Sequence, residues 1–278
     1  GRFIERKRVK NYWGSDLAVN RGQNNFDKIR IDYYRDRIAI REAVKAGAVD
    51  YFEENQAKAW AVDWKTPAIT EKKLIKKLVK QSTPQGMQAF VMNTRRSIFQ
   101  DIAVRKAVNL AFDFEWTNRN LFFGQYTRSY SFFSNSELAA KGLAQGEERA
   151  ALECLRAHLS EDVLDAPSAP PVTDGSGWPR ENLQQAFKLL ETAGWSVKNM
   201  KLVNAKTNQQ FKFEILLVSP AFERIVLPFK RNLERLGMDV AVRLVDQSQY
   251  INRVRQFDFD MIVSGWGQSE SPGSEQRD

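Results

Sequence analysis

The amino-acid sequence predicts an α/β protein with mixed sheets flanked by helices, and three observations lead there. Segments of strand-like alternation and of helical spacing follow one another along the chain, the strand–helix–strand rhythm of that class. The rhythm is most regular in the last third, where 211–218, 238–245 and 258–264 read as strands and 221–236 and 247–255 as helices. Finally, 42% of the 278 residues are hydrophobic and 12% aromatic, enough to build a packed core.

Taken in order, "FIERKRV" (3–9) alternates as a strand and runs into the turn-like "NYWGSD". A second strand is expected over 26–34, a helix over 36–47 stopped by Gly47, and a short strand over 48–54. Residues 56–64 read as a helix, with Pro67 closing that region, and 71–80 ("EKKLIKKLVK") as an amphipathic segment. A buried strand over 86–96 ends in polar residues. The strongest helical signal spans 101–122, with Ile102, Val104, Ala107, Val108, Ala111 and Phe112 in phase and Asp101 as its N-cap. An aromatic, hydroxyl-rich loop (124–137) and a helix (147–159) come next. Four prolines and two glycines make 160–179 a long irregular loop, before a helix over 180–195. No repeat of fixed period is present.

Charge and composition exclude several functions. Residues 1–80 hold 19 Lys/Arg against 11 Asp/Glu, whereas 81–278 hold 23 of each. The basic excess is scattered through amphipathic elements and accompanied by no DNA-binding motif, so it reads as solvated surface and no nucleic acid is expected. A single cysteine, Cys154, excludes an internal disulfide within the chain and any cysteine-based metal cluster. The one histidine, His158, reads as a surface or helix-end residue. Phosphate-binding loops, GxGxxG and GxSxG are absent, so no cofactor and no catalytic residue is expected. Asp258 and Asp260 in "FDFDM" read as charges on the solvated face of a strand entry, with a metal pair as the alternative.

What remains are aromatic and amide-rich segments at strand ends: "MNTRR" (92–96), "YSFFSN" (130–135) and "GWGQSE" (265–270). They supply stacking surfaces, hydrogen-bonding groups and few charges, the make-up of a binding site without a reactive triad. Trp266, between two glycines, is a candidate platform, and Phe132 a second apolar contact. Gln268 and Ser269 are candidate polar contacts, Glu270 a partner for an amine, and Arg95 and Arg96 a carboxylate clamp or hinge contacts.

The strings "ERKRVKNYW" (5–13), "VKAGAVDY" (44–51), 91–129, "LLETAGW" (189–195) and "FDFDMIVSGW" (257–266) resemble, in this order, the family 5 extracellular solute-binding proteins. "SPAFERI" (219–225), "VDQSQY" (245–250) and "SPGSEQRD" (271–278) resemble its YejA-like branch. The resemblance implies a type II periplasmic-binding-protein architecture. It also implies a monomeric, periplasmic component of an ABC importer that closes two lobes on a peptide or peptide-like ligand and passes it to membrane permease and ATPase components. The alternatives are a ligand-sensing role toward a receptor and, from another class, a nucleic-acid-binding module using the basic residues 1–80. On this likeness, 1–88 belong to the first lobe, 89–270 form the second, and 271–278 begin a return segment; the chain is expected to be a fragment of a longer protein. The strand entering 264–270 is expected to wall the cleft and lend its backbone to the ligand. Many peptide-binding relatives carry an aspartate three residues after the position of Trp266. Here that residue is Ser269, with Glu270 next, so either Glu270 takes the ligand's amine or the amine is not read by charge.

Overall fold

A computed structural model describes residues 1–159, 161–166 and 169–273. The chain divides into two compact units, 1–78 and 79–278.

The first unit opens with strands β1 (Phe3–Lys7) and β2 (Lys28–Asp32), an antiparallel ribbon in the register Phe3↔Asp32 to Lys7↔Lys28. Helices α1 (Arg37–Lys45), α2 (Ala57–Val62) and α3 (Pro67–Thr70) follow. Asp36 caps α1 by accepting from the amides of Ile38 and Ala39, and Gly47 takes the left-handed conformation just past its end. The small core of Val44, Ala57, Ala59 and Trp64 surrounds a buried ion pair, Arg41 Nε to Glu54 Oε2 at 2.7 Å, with the Trp64 indole also donating to Glu54. Two expectations fail here. Residues 48–54 form no strand, and the amphipathic stretch 71–80 contains no helix. A local apolar pattern needs a partner surface to become an element.

The second unit contains β3 (Met87–Met92), α4 (Ile102–Leu110), α5 (Phe114–Leu121), α6 (Gly146–Glu153), α7 (Glu161–Asp165) and α8 (Arg180–Thr192). It continues with β4 (Trp195–Lys198), β5 (Lys201–Asn204), β6 (Lys212–Leu217), α9 (Glu223–Arg235), β7 (Asp239–Leu244), α10 (Gln247–Arg255) and β8 (Met261–Trp266). A four-stranded mixed sheet of order β3-β8-β6-β7 forms its centre, with β6 parallel to both β7 and β8 and β3 antiparallel to β8. Alternation sorts the side chains. Phe90, Met92, Phe213, Ile215, Leu217, Val240 and Met261 face the main core with α4, α8 and α9, while Val91, Leu216 and Ile262 face a smaller cluster with Phe259 and Tyr250. β3 pairs with β8 along its whole length, so Met87 and Gln88 lie in the second unit.

The helix expected over 101–122 is two. α4 ends at Leu110, with Ala111 as its C-cap, and α5 starts anew with Asp113 as its N-cap, accepting from the Trp116 amide at 2.9 Å. The same buried carboxylate accepts from the Gly177 amide at 2.8 Å and from the Thr173 hydroxyl at 2.5 Å. Glu115 accepts from the Thr173 amide, Arg119 donates to the Gly175 carbonyl and Arg128 to that of Pro171. Burial lowers the pKa of Arg128, against the opposing pull of Glu115 and Asp113. Residues 171–177 of the Pro/Gly-rich loop are therefore tied to α5 and Arg128 without regular structure of their own, whereas 161–165 form α7 where an irregular loop is expected. The hairpin β4–β5 is absent from the sequence reading; its turn places Asn199 and Met200 at positive φ with no glycine to announce it.

Candidate functional site

Strand β8 is expected over 258–264 but occupies Met261–Trp266. Asp258 and Asp260 precede it and are held as acceptors. Arg96 reaches Asp258 at 3.2 Å and Asp260 at 3.0 Å, Arg253 reaches Asp258 at 3.1 Å, and the Glu214 amide donates to Asp260. This is an ion-pair knot. No group of three or more potential metal-ligating His, Cys, Asp or Glu side chains is found among the described residues.

The outer end of β8 differs in character. Its pairing with β6 is Ile215↔Met261 and Leu216↔Ile262, whereas the ladder with β3 continues to Met87↔Trp266. The outer half of the strand thus has β3 on one side and overhangs β6 on the other. Backbone groups alternate in direction along an antiparallel ladder. The Asn93 amide donates to the Asp260 carbonyl across it, so Ser264 and Trp266 also aim their backbone groups at β3. Val263 and Gly265 aim theirs at the lane β6 has left. The Val263 carbonyl is met there by the Tyr250 hydroxyl at 3.0 Å, as this alternation requires.

The structure brings Trp266 and Phe132 together, ring centroids 5.9 Å apart and nearly perpendicular, both about half-exposed. The hydroxyl-rich segment around Phe132 is bonded mainly to itself. Ser131 Oγ accepts from the amides of Phe133 and Ala140, Ser134 Oγ donates to the Ser131 carbonyl and Ser136 Oγ to that of Phe133. Asn135 donates to the carbonyls of Gln81 and Thr83, and the Gln85 amide to that of Ser134. These serines hold Phe132 in place. Beyond β8, Gln268 is half-buried, Ser269 donates to the Ser271 carbonyl at 2.8 Å, and Glu270 is exposed.

Arg95 and Arg96 are not part of this group. They follow the opposite end of β3, about 17 Å from Trp266 by five strand steps. Arg96 is engaged by Asp258 and Asp260, and Arg95 lies over the Phe257 ring at 3.7 Å. Asn93 of the same "MNTRR" stretch is buried, donating to the carbonyls of Phe257 and Phe259 and accepting from the Arg95 amide. That stretch anchors the entry to β8. His158 is an exposed residue of a 3-10 turn. Two open grooves, of about 590 Å³ by Trp64 and about 800 Å³ by Trp178, lie elsewhere. Sequence reasoning missed Gly86, whose neighbour is the Trp266 carbonyl, and Tyr250.

The model of the bacterial extracellular solute-binding proteins, family 5 middle, matches residues 1–277. The chain belongs to this family. Escherichia coli YejA is 42% identical over 275 residues, 99% of this chain and 46% of its own length. Agrobacterium fabrum YepA, described as a peptidoglycan-binding protein, is 37% identical over 284 residues, 99% of this chain and 46% of its own. Among solved structures, the oligopeptide-binding protein AppA from Bacillus subtilis, in complex with a nonapeptide, aligns at a TM-score of 0.66 and 19% identity. That alignment covers 98% of this chain and 46% of AppA. The type II periplasmic-binding-protein fold is shared; the chain spans about half the length of the curated relatives it matches.

Proposed function

We propose that this chain is part of the ligand-binding body of an ABC importer's substrate-binding protein, working outside the cytoplasm on peptides or peptide-like compounds without a catalytic step. The observation that carries the reading is the unpaired outer edge of β8 at Gly265, next to the Trp266–Phe132 pair. An extended ligand aligned on that edge exchanges main-chain hydrogen bonds with it, which ignore side-chain identity, while the rings supply apolar contact. Gln268 and Ser269 serve as polar contacts, and Glu270, the one carboxylate between Gly267 and Gly273, takes a ligand amine. Arg95 and Arg96 have structural roles in this reading. Closure of a second lobe over the ligand favours the closed state by contacts made only there, and the loaded form is delivered to a permease.

The supporting comparisons are family membership, AppA with its nonapeptide, and Helicobacter pylori DppA in complex with the peptide STSA. The test is calorimetric titration of a tri- to hexapeptide pool into this chain and into a protein extended to the length of the relatives. Saturable heat in the extended protein is expected. Silence from a well-folded extended protein overturns the peptide reading.

A further inference from the structure

One stretch of chain touches the carriers of both exposed rings. The chain leaves the first unit at Leu78 and β3 begins at Met87, with 81–86 between them. The backbone of Gly86 lies against the Trp266 carbonyl with no room for a Cβ, and Met87 is laddered with Trp266. In the same stretch the carbonyls of Gln81 and Thr83 accept from Asn135 Nδ2 at 2.9 and 3.0 Å, and the Gln85 amide donates to the Ser134 carbonyl at 2.7 Å. Among the described residues, the hydrogen bonds that tie 131–140 to other parts of the chain all end on 81–85. The serine bonds give the Phe132 loop its shape, but bonds within a loop do not place it against β8. Asn135 supplies two of the three bonds that do.

We infer that Asn135 is a positioning residue of the candidate site: its carboxamide fastens the Phe132 loop to 81–85 and so holds Phe132 against Trp266. The inference rests on the peptide-binding reading above, in which these two rings meet the ligand. A carboxamide nitrogen carries two N–H donors. Both are used here on backbone carbonyls of different residues, so the side chain grips the stretch at two points. Asn135 also stands at φ 68°, in the left-handed region that asparagine tolerates better than most residues, and that alone gives a reason for an asparagine. Glycine serves the same backbone conformation at no steric cost, which separates the two demands. Trp266 is set by its ladder with β3, whereas Phe132 is a half-exposed ring on a loop without a ladder. Its place therefore depends on how the loop is attached. The rings meet edge to face with centroids 5.9 Å apart, and a gap of about 1 Å forfeits up to about half of such a contact.

The test follows the Trp266 indole N–H signal of this chain labelled with ¹⁵N, without ligand, in wild type, Asn135→Gly, Phe132→Ala and the double variant. Asn135→Gly keeps the left-handed backbone and loses both bonds. It is expected to move the indole signal toward its Phe132→Ala position, and to move it no further once Phe132 is alanine, because the ring is what Asn135 holds. Asn135→Asp keeps the size but turns the donors into acceptors facing carbonyls. It is expected to act in the same direction, and it decides the matter where the glycine variant does not fold. In a protein extended to the length of the relatives, calorimetry with tri-leucine should show Asn135→Gly weakening binding about threefold to tenfold, with no further loss in the Phe132→Ala background. An indole signal that the Asn135 variants leave in place overturns the inference whatever the peptide does, as does an equal shift in both backgrounds. A shifted signal with unchanged tri-leucine affinity overturns the role in binding. No binding of tri-leucine to the extended wild type counts against the peptide reading, and the role in binding falls with it. The indole shift, read without ligand, separates that failure from a carboxamide that does not hold the ring.

Discussion

Gly86→Ala isolates a purely steric demand at the candidate site. A Cβ on Gly86 would stand 2.4 Å from the Trp266 carbonyl oxygen and 3.1 Å from both the Trp266 carbonyl carbon and Gly267 Cα. All three are backbone atoms, so no rotamer change relieves the contact. The separation must open by about 0.6 Å to reach even 3.0 Å, at a point where Met87 and Trp266 are laddered together. Gly86 does not adopt a positive φ, so conformational freedom gives no reason for a glycine. On entropy alone alanine would stabilise by about 0.4–1 kcal/mol through the unfolded state. At the middle of both ranges the overpacking cost of about 2 kcal/mol exceeds this gain of about 0.7 kcal/mol, so the net effect is destabilisation by about 1.3 kcal/mol. At a urea slope of about 2 kcal/mol/M this lowers the midpoint by about 0.6 M. Urea unfolding followed by far-ultraviolet circular dichroism reads the midpoint. Near-ultraviolet dichroism reports the Trp266–Phe132 pair, whose signal should change in the folded variant. A midpoint equal to or above wild type would show that the edge yields freely and would refute the reasoning.

Trp266→Ala in a peptide-binding form of the protein should weaken binding at least about tenfold; unchanged affinity by calorimetry removes the platform role. Asn232 is 1% exposed, donates to the Ala111 carbonyl at 3.0 Å and accepts from Arg235 at 2.5 Å. Asn232→Ala takes this donor from a buried carbonyl and should cost about 1–3 kcal/mol in chemical denaturation; a loss near zero denies the bond its importance. Glu153 and Asp165 are both lowered in pKa, chiefly by hydrogen bonds from Arg156. Their contribution is present above the ordinary carboxylate range and is lost as pH falls through the depressed folded values. Carboxyl ¹³C titration should place both below their usual midpoints, and Arg156→Gln should return them there.

Local chemistry made much of this protein legible in its sequence. The apolar runs of "KFEILL" and "DVAVRL" and the helical phase of 223–235 and 247–255 specify β6, α9, β7 and α10, since the period alone sorts the side chains of each element into faces. The place of Trp266 at a strand end, and the Phe132 segment as a loop packed on something, were also readable, because glycines and clustered hydroxyls are local signals. The break at Asp113 was not. Its carboxylate is drawn to Thr173 and Gly177, some sixty positions away, and long-range bonds leave no periodic trace. The same holds for Arg96, whose partners lie 162 and 163 residues on in the chain. As a pair of adjacent arginines it looked like a clamp, and only folding showed its charge already engaged. The open edge at Gly265 is the clearest case. Whether a backbone group is paired depends on where the neighbouring strand stops, and that is a property of the sheet, with no signature in the residue itself.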